Sequence, residues 1–130
     1  MNRRLTPIER AVKQLTERDF QKGYVAALRS IGFTVGHHYD SRFSDPGTKG
    51  QPDLAITGHG HFWWEELKRE EGVLSDEQKA WHRELTLAGI HVVTSRPSDW
   101  ERMMSYAEAA AEQAIDPLLR QLPMPAKKRR

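Results

Sequence analysis

Gly50-Gln51-Pro52-Asp53-Leu54-Ala55-Ile56 and Phe62-Trp63-Trp64-Glu65-Glu66-Leu67-Lys68 both read as strands, and only Thr57 and the turn-like Gly58-His59-Gly60-His61 lie between them. Pairing as a hairpin brings Asp53, at the start of one strand, near Glu66 and Lys68, at the end of the next. Alternation sorts the second strand, with Phe62, Trp64, Glu66 and Lys68 on one face and Trp63, Glu65 and Leu67 on the other. Two carboxylates and an ammonium converging in this way suit the holding of a divalent cation and a water beside a phosphodiester. A Glu-x-Lys on a strand face is by itself usually a solvated pair, contributing at most about 1 kcal/mol. The Pro-Asp at hairpin distance is what gives the pair a candidate partner.

The rest of the chain bounds this reading. Its 130 residues suit one domain with a real core. The absence of cysteine excludes disulfides, thiolate metal sites and cysteine nucleophiles. No apolar run approaches the roughly 18 residues of a membrane span, and no secretory signal is visible, so the expectation is a cytoplasmic protein without a membrane partner. The net charge of +2 is small. Its distribution says more, because Arg3 and Arg4 open the chain and Lys127-Lys128-Arg129-Arg130 close it. Basic ends add sequence-independent attraction to phosphate backbones, although a C-terminal run of this kind also serves simply to keep a chain soluble.

Outward from the hairpin, the elements follow from caps and periodicity. Thr6-Pro7-Ile8-Glu9 predicts a short helix to about Gln14, and Thr16 starts a second, with Phe20, Tyr24, Ala27, Leu28 and Ile31 at helical spacing and Gly32 as its stop. Phe33 to His38 reads as a first strand. Asp40 to Gly50 is polar and turn-rich, which predicts an exposed loop. Ser75-x-x-Gln78 opens a helix through Trp81, Leu85 and Ala88 that stops at Gly89. Ile90 to Thr94 is a strand of buried type, and Pro97 starts a last helix to about Ala114. The expected architecture is α/β: a small mixed sheet with helices packed on it, in the order α, α, β, β, β, α, β, α.

Two further polar residues lie on apolar stripes. Glu17 falls in line with Phe20, Tyr24 and Leu28, whereas Asp19 points nearly the opposite way. A carboxylate there is costly to bury without a partner. The helix dipole and water in the first turn answer that cost in part, and a metal shared with Asp53 and Glu66 answers it more fully. Gln78 lies on the stripe of Trp81 and Leu85. The capping box explains it without any site, yet a first-turn Gln can cap its helix and still turn toward the cleft.

The chemistry follows from charge. Hydrolysis of a phosphodiester needs cations that neutralise phosphate oxygens and lower the pKa of water. Oxygen ligands without cysteine favour Mg²⁺ or Mn²⁺ over zinc. Lys68 can orient the attacking water or stabilise the developing charge. Arg42 and Lys49, in the loop before Asp53, are the candidate DNA-binding cations. A rival zinc site from His59 and His61 with His37 and His38 lacks a completing carboxylate, and the turn histidines, like His82 and His91, read as ordinary surface or edge residues.

Glu17-x-x-Phe20-Gln21, His38-Tyr39-Asp40-Ser41-Arg42, Gly50-x-Pro52-Asp53-Leu54, Glu66-Leu67-Lys68, Gly72-x-Leu74-Ser75-x-x-Gln78-x-x-Trp81, Ala88-Gly89 and Arg96-Pro97-Ser98-Asp99-Trp100 occur in this order. Together they resemble the virus-type replication-repair nuclease (VRR-NUC) domain of the PD-(D/E)xK nuclease superfamily, over about residues 16 to 105. The resemblance implies a restriction-endonuclease-like core, a small central sheet flanked by helices, with Mg²⁺ or Mn²⁺ at its carboxylates. By position, Glu17, Asp53 and Glu66 resemble the acidic ligands, the backbone carbonyl of Leu67 a further ligand, Lys68 the catalytic lysine and Gln78 the motif glutamine. Glu65 adds an acid beside Glu66, but only Glu66 has Lys two residues on.

Small stand-alone members of this kind are frequent in phages and resemble structure-specific nucleases that act on branched DNA, often as homodimers. The expectation is therefore an Mg²⁺-dependent DNA endonuclease of a bacterial or phage-infected cell. Its nuclease domain spans residues 16–115, between an N-terminal extension at 1–15 and a basic tail at 116–130. The alternatives are a non-catalytic DNA-binding protein on the same fold and a sequence-specific restriction-type enzyme. An intact Asp53, Glu66 and Lys68 argues against the first, and the want of a second, base-reading domain against the other.

Overall fold

A computed structural model describes residues 4–37 and 46–115 of the chain. Four helices, α1 (Pro7–Gln14), α2 (Glu17–Ser30), α3 (Asp76–Leu87) and α4 (Trp100–Glu112), accompany four strands, β1 (Thr34–His37), β2 (Leu54–Gly58), β3 (His61–Leu67) and β4 (Val92–Ser95). The element order is the expected one. The sheet runs β1-β2-β3-β4, antiparallel across the first two pairings and parallel across β3 and β4. The parallel pair is joined through α3, as a parallel connection requires.

The hairpin is tighter than the sequence suggests. Leu54 faces Glu65 and Gly58 faces His61, so only His59 and Gly60 form the turn. Both have positive φ, 52° and 86°, the combination of a two-residue turn that matches strand twist. The left-handed conformation of His59 is held by its ring, which donates from Nε2 to the Ile31 carbonyl at 2.8 Å and meets Phe33 edge-on at 5.0 Å. A Cβ on Gly60 would stand 2.6 Å from that of Ile115, whose N–H donates to the His59 carbonyl at 2.9 Å.

At its other end β2 starts at Leu54, not at Gly50. Pro52 has no N–H for a ladder, and Gly50 has a φ of 87°. Gly50 instead lies against the start of α3, where a Cβ would come 2.4 Å from the Glu77 carbonyl carbon. Trp81 Nε1 donates to the Lys49 carbonyl at 3.1 Å and fastens the same contact. The glycine of Gly50-x-Pro52-Asp53 and the tryptophan of Gln78-x-x-Trp81 therefore pack one motif on the other.

One face of the sheet carries the core. Val35, Leu54, Ile56, Trp63 and Leu67 meet Phe20, Tyr24, Val25 and Leu28 of α2 and Met103, Ala107 and Ala110 of α4, all buried. Each large apolar side chain so buried contributes about 1.5–3 kcal/mol. Trp63 is central, edge-on to Phe33 at 5.4 Å and to Tyr106 at 5.1 Å. The opposite face, with Trp64 and Glu66, is covered by α3. No residue of α3 is fully buried, and Ala88 of its expected stripe is exposed. A face made of Glu66, Thr94 and half-buried Trp64 has little apolar area for a helix to cover. β4 begins at Val92, two residues later than expected, and a 3₁₀ turn at Pro97–Asp99 precedes α4.

Candidate active site

The site lies where β2 begins and β3 ends, beneath the first turn of α3. The hairpin register, extended by one residue from Leu54 and Glu65, sets Asp53 across from Glu66. Asp53 Oδ2 accepts from the Leu67 N–H at 2.9 Å, which fixes its carboxyl along the end of β3. Leu67 thus enters the site through its backbone, here as a donor.

Glu66 is 1% exposed. Its Oε1 accepts from Gln78 Nε2 at 2.9 Å, whereas its Oε2 is buried without a hydrogen-bond donor. Burial pushes the Glu66 carboxyl up to about 9, with the neighbouring Asp53 carboxyl adding to the rise and the Lys68 ammonium opposing it. Asp53 is raised as well, by burial first; the Leu67 N–H and the Glu66 carboxyl pull it down, Glu17 pushes it up and Lys68 lowers it. A half-buried Asp53 carboxyl beside a buried Glu66 carboxyl disfavours ionisation of both, and a proton or a cation between them relieves that cost.

Gln78 does two things at once. Its Oε1 accepts from the Ser75 N–H at 2.8 Å and its own N–H donates to Ser75 Oγ at 3.2 Å, completing the capping box. Its amide nitrogen meanwhile holds Glu66. Capping and site role, which the sequence leaves side by side, coexist in one side chain.

Glu17 stands at the edge of this group. It is exposed, in the first turn of α2, and accepts at 3.4 Å from the Arg69 N–H. Its charge acts on Asp53, but among the described residues no three His, Asp or Glu side chains stand close enough to hold an ion together. Lys68 is half-buried, forms no ion pair among the described residues, and is felt electrostatically by both Asp53 and Glu66. Of the two candidate DNA-binding cations, Lys49 lies 3.3 Å from Glu77 in an exposed pair. Arg42 lies outside the described residues, as do His38 and the basic tail.

The histidines depart from expectation. His59 and His61 are not free in solvent: His61 Nε2 donates to the Gln113 carbonyl at 3.0 Å, and His59 is tied to Ile31. His37 lies 3.3 Å from the Gln21 amide. These rings serve different elements and do not converge. His82 is no ordinary surface residue either. One turn after Gln78, it is half-buried, with Nδ1 3.4 Å from Thr94 Oγ1, and its Nε2 is buried without a partner. Thr94 is the register partner of Glu66. Burial lowers the His82 pKa and the Asp53 carboxylate opposes that shift. Its place at i+4 from Gln78 was the one available signal in the sequence.

Two carboxyl groups, one of them with a buried oxygen that lacks a donor, are oxygen chemistry of the kind a hard divalent cation takes. The comparisons place the chain beside no relative, since no family model, no curated protein and no solved structure matches it.

Proposed function

We propose that this chain is a metal-dependent DNA endonuclease of the PD-(D/E)xK type, resembling VRR-NUC domains. The observation that carries the reading is the pair of half-buried Asp53 and buried Glu66, with Glu66 Oε2 lacking a donor and Lys68 two residues on, just past the end of β3. A purely structural role would not set the buried Glu66 carboxyl against a second carboxyl, Asp53, that pushes its pKa up further.

Mg²⁺ or Mn²⁺, when bound, supplies neutralisation of phosphate charge and a lowered pKa for water. Asp53 and Glu66 would hold it, with the Leu67 carbonyl beside them and Glu17 reaching in from α2. Gln78 keeps the Glu66 carboxyl turned toward Asp53. Lys68 orients a water toward the phosphorus and offsets the negative charge that grows on the phosphate. Lys49 and Arg42 meet flanking phosphates and set position, not sequence.

The substrate in this reading is branched DNA, such as a fork or four-way junction, engaged by a homodimer. Cleavage of plasmid, fork and four-way junction with Mg²⁺ or with EDTA tests it. Mg²⁺-dependent cutting of branched substrates above linear duplex is the expected result. Binding without cutting under every metal condition would leave a non-catalytic DNA-binding protein, and cutting at one sequence in all substrates would leave a restriction-type enzyme.

A further inference from the structure

The face of β3 opposite Glu66 holds a second acidic feature that the nuclease reading does not use. Glu65 is 2% exposed, and its Oε1 accepts from Tyr24 Oη at 2.6 Å and from Trp63 Nε1 at 2.9 Å. Both donors reach the same oxygen, and no donor to Oε2 appears among the described residues. Glu65 forms part of the wall of a cavity of about 130 Å³ between the sheet and α4. Tyr24 and Trp63 lie with it at the buried end, while His91, Tyr106 and Arg102 are exposed at the mouth. His91 and Tyr106 are 5.6 Å apart and tilted by 36°.

The cavity is well below the roughly 300–1,000 Å³ of a drug-sized site and suits one planar ring. Its lining combines a buried acceptor, Glu65, with aromatic rings and a partly exposed guanidinium. Arg102 touches Ser95 Oγ at 3.1 Å and lies 3.6 Å from Asp99, with its side chain still 54% exposed. A small organic cation would meet the Glu65 carboxylate but also the like charge of Arg102. A neutral ring with an amino donor at one end and an anion at the other satisfies both.

We propose that this cavity binds a nucleobase carrying an exocyclic amino group, cytosine above the others. Its amino group donates to Glu65, its ring stacks on Tyr106 and His91, and its phosphate pairs with Arg102. Acceptance of the cytosine amino donor is characteristic of Glu and Asp, aromatic side chains stack bases of any sequence, and Arg takes phosphate by charge-assisted hydrogen bonds. The same chemistry is offered by an unpaired base in a DNA strand and by a free nucleotide. The site lies across the sheet from Asp53 and Glu66 and does not depend on the nuclease reading.

The test is titration of the full chain in EDTA with dCMP, dTMP and short oligo-dC or oligo-dT, following the Trp63 indole N–H resonance. The expected result is movement of that resonance and a preference for cytosine over thymine of about tenfold. Tyr106→Ala and Arg102→Ala, both at exposed positions, should weaken binding, the latter more for dCMP than for deoxycytidine. Glu65→Gln keeps an oxygen for Tyr24 and Trp63 and presents an amide donor to the cavity, so it should shift preference toward thymine. Oligo-dC binding well above dCMP identifies an unpaired strand base as the occupant, and equal binding identifies a free nucleotide. Indifference between dCMP and dTMP, or a Trp63 resonance that moves with neither, overturns the proposal. So does binding unaffected by Tyr106→Ala and Arg102→Ala in folded variants.

Discussion

Gln78 Nε2 donates to Glu66 Oε1 at 2.9 Å while Gln78 Oε1 accepts from the Ser75 N–H at 2.8 Å. The start of α3 and the carboxyl pair are therefore one hydrogen-bonded unit, and a change at Gln78 acts on both.

The two roles of Gln78 separate by substitution. Gln78→Glu keeps an acceptor for Ser75 but exchanges the donor to Glu66 for a third carboxyl, so cleavage should fall about 10–100-fold, the usual cost of losing a group that orients a metal ligand, and stability in EDTA should fall as pH rises, by like-charge repulsion. Gln78→Ala loses both and should also cost about 1 kcal/mol of stability through the cap. Melting curves and cleavage rates measured side by side decide it, and equal activity in Gln78→Glu and wild type would remove Gln78 from the site.

Asp53→Asn, Glu66→Gln and Lys68→Ala should each abolish cleavage with the fold retained. Asp53→Asn relieves the close acidic pair, so in EDTA its melting temperature should equal or exceed that of wild type. Circular dichroism establishes folding for each variant. Full Mg²⁺-dependent activity in any of the three ends the catalytic assignment.

The pH dependence of stability carries a definite sign. Without a cation, Glu66 keeps its proton in the folded state up to about 9, against an ordinary value of 4.5. The folded state then binds more protons than the unfolded one across that window, so this group's contribution to stability declines as pH rises through it and levels off above. Between about pH 5.5 and about pH 8.5 in EDTA, wild type should lose stability relative to Glu66→Gln at up to about 1.4 kcal/mol per pH unit, the slope for one proton, which amounts to several degrees of melting temperature per unit. Adding Mg²⁺ should restore the loss at the alkaline end. Parallel pH profiles for wild type and Glu66→Gln would show that Glu66 carries no such proton.

Glu17→Gln should weaken metal affinity without removing activity, because Glu17 stands exposed at the edge of the pair and Asp53 and Glu66 remain. Partial rescue by Mn²⁺ is the mark of that role. Asp19→Asn, on the other side of α2, should be silent, and the reverse pattern would place the wrong acid in the site.

Lys49→Ala should weaken DNA binding at all sequences alike and reduce the slope of log affinity against log salt by about 0.9, with metal affinity unchanged. Its pairing with Glu77 predicts one more thing: Glu77→Ala, by freeing the ammonium, should strengthen binding. Measurement on a Lys68→Ala background across a salt series settles both.

Local chemistry alone determined much of this protein. Alternation along Phe62 to Lys68 put Trp63, Glu65 and Leu67 on the core face and Glu66 on the other, because side-chain direction in a strand has a fixed period of two. Thr16, Ser75, Gly32 and Gly89 marked helix ends through caps that act within four residues. The Asp53, Glu66, Lys68 and Gln78 group was legible because a hairpin register and one helix turn suffice to assemble it. Tertiary structure decided what depends on distant partners. Glu65 becomes a cavity wall only because Tyr24, 41 residues away, donates to it. His59 and His61 bond carbonyls on Ile31 and Gln113, and His82 is covered only once α3 settles over β4. Even the start of β2 was set from outside the strand, by Gly50 pressing against α3. A sequence pattern carries the period of its own element, whereas the burial of a polar group is fixed by whichever surface arrives to cover it.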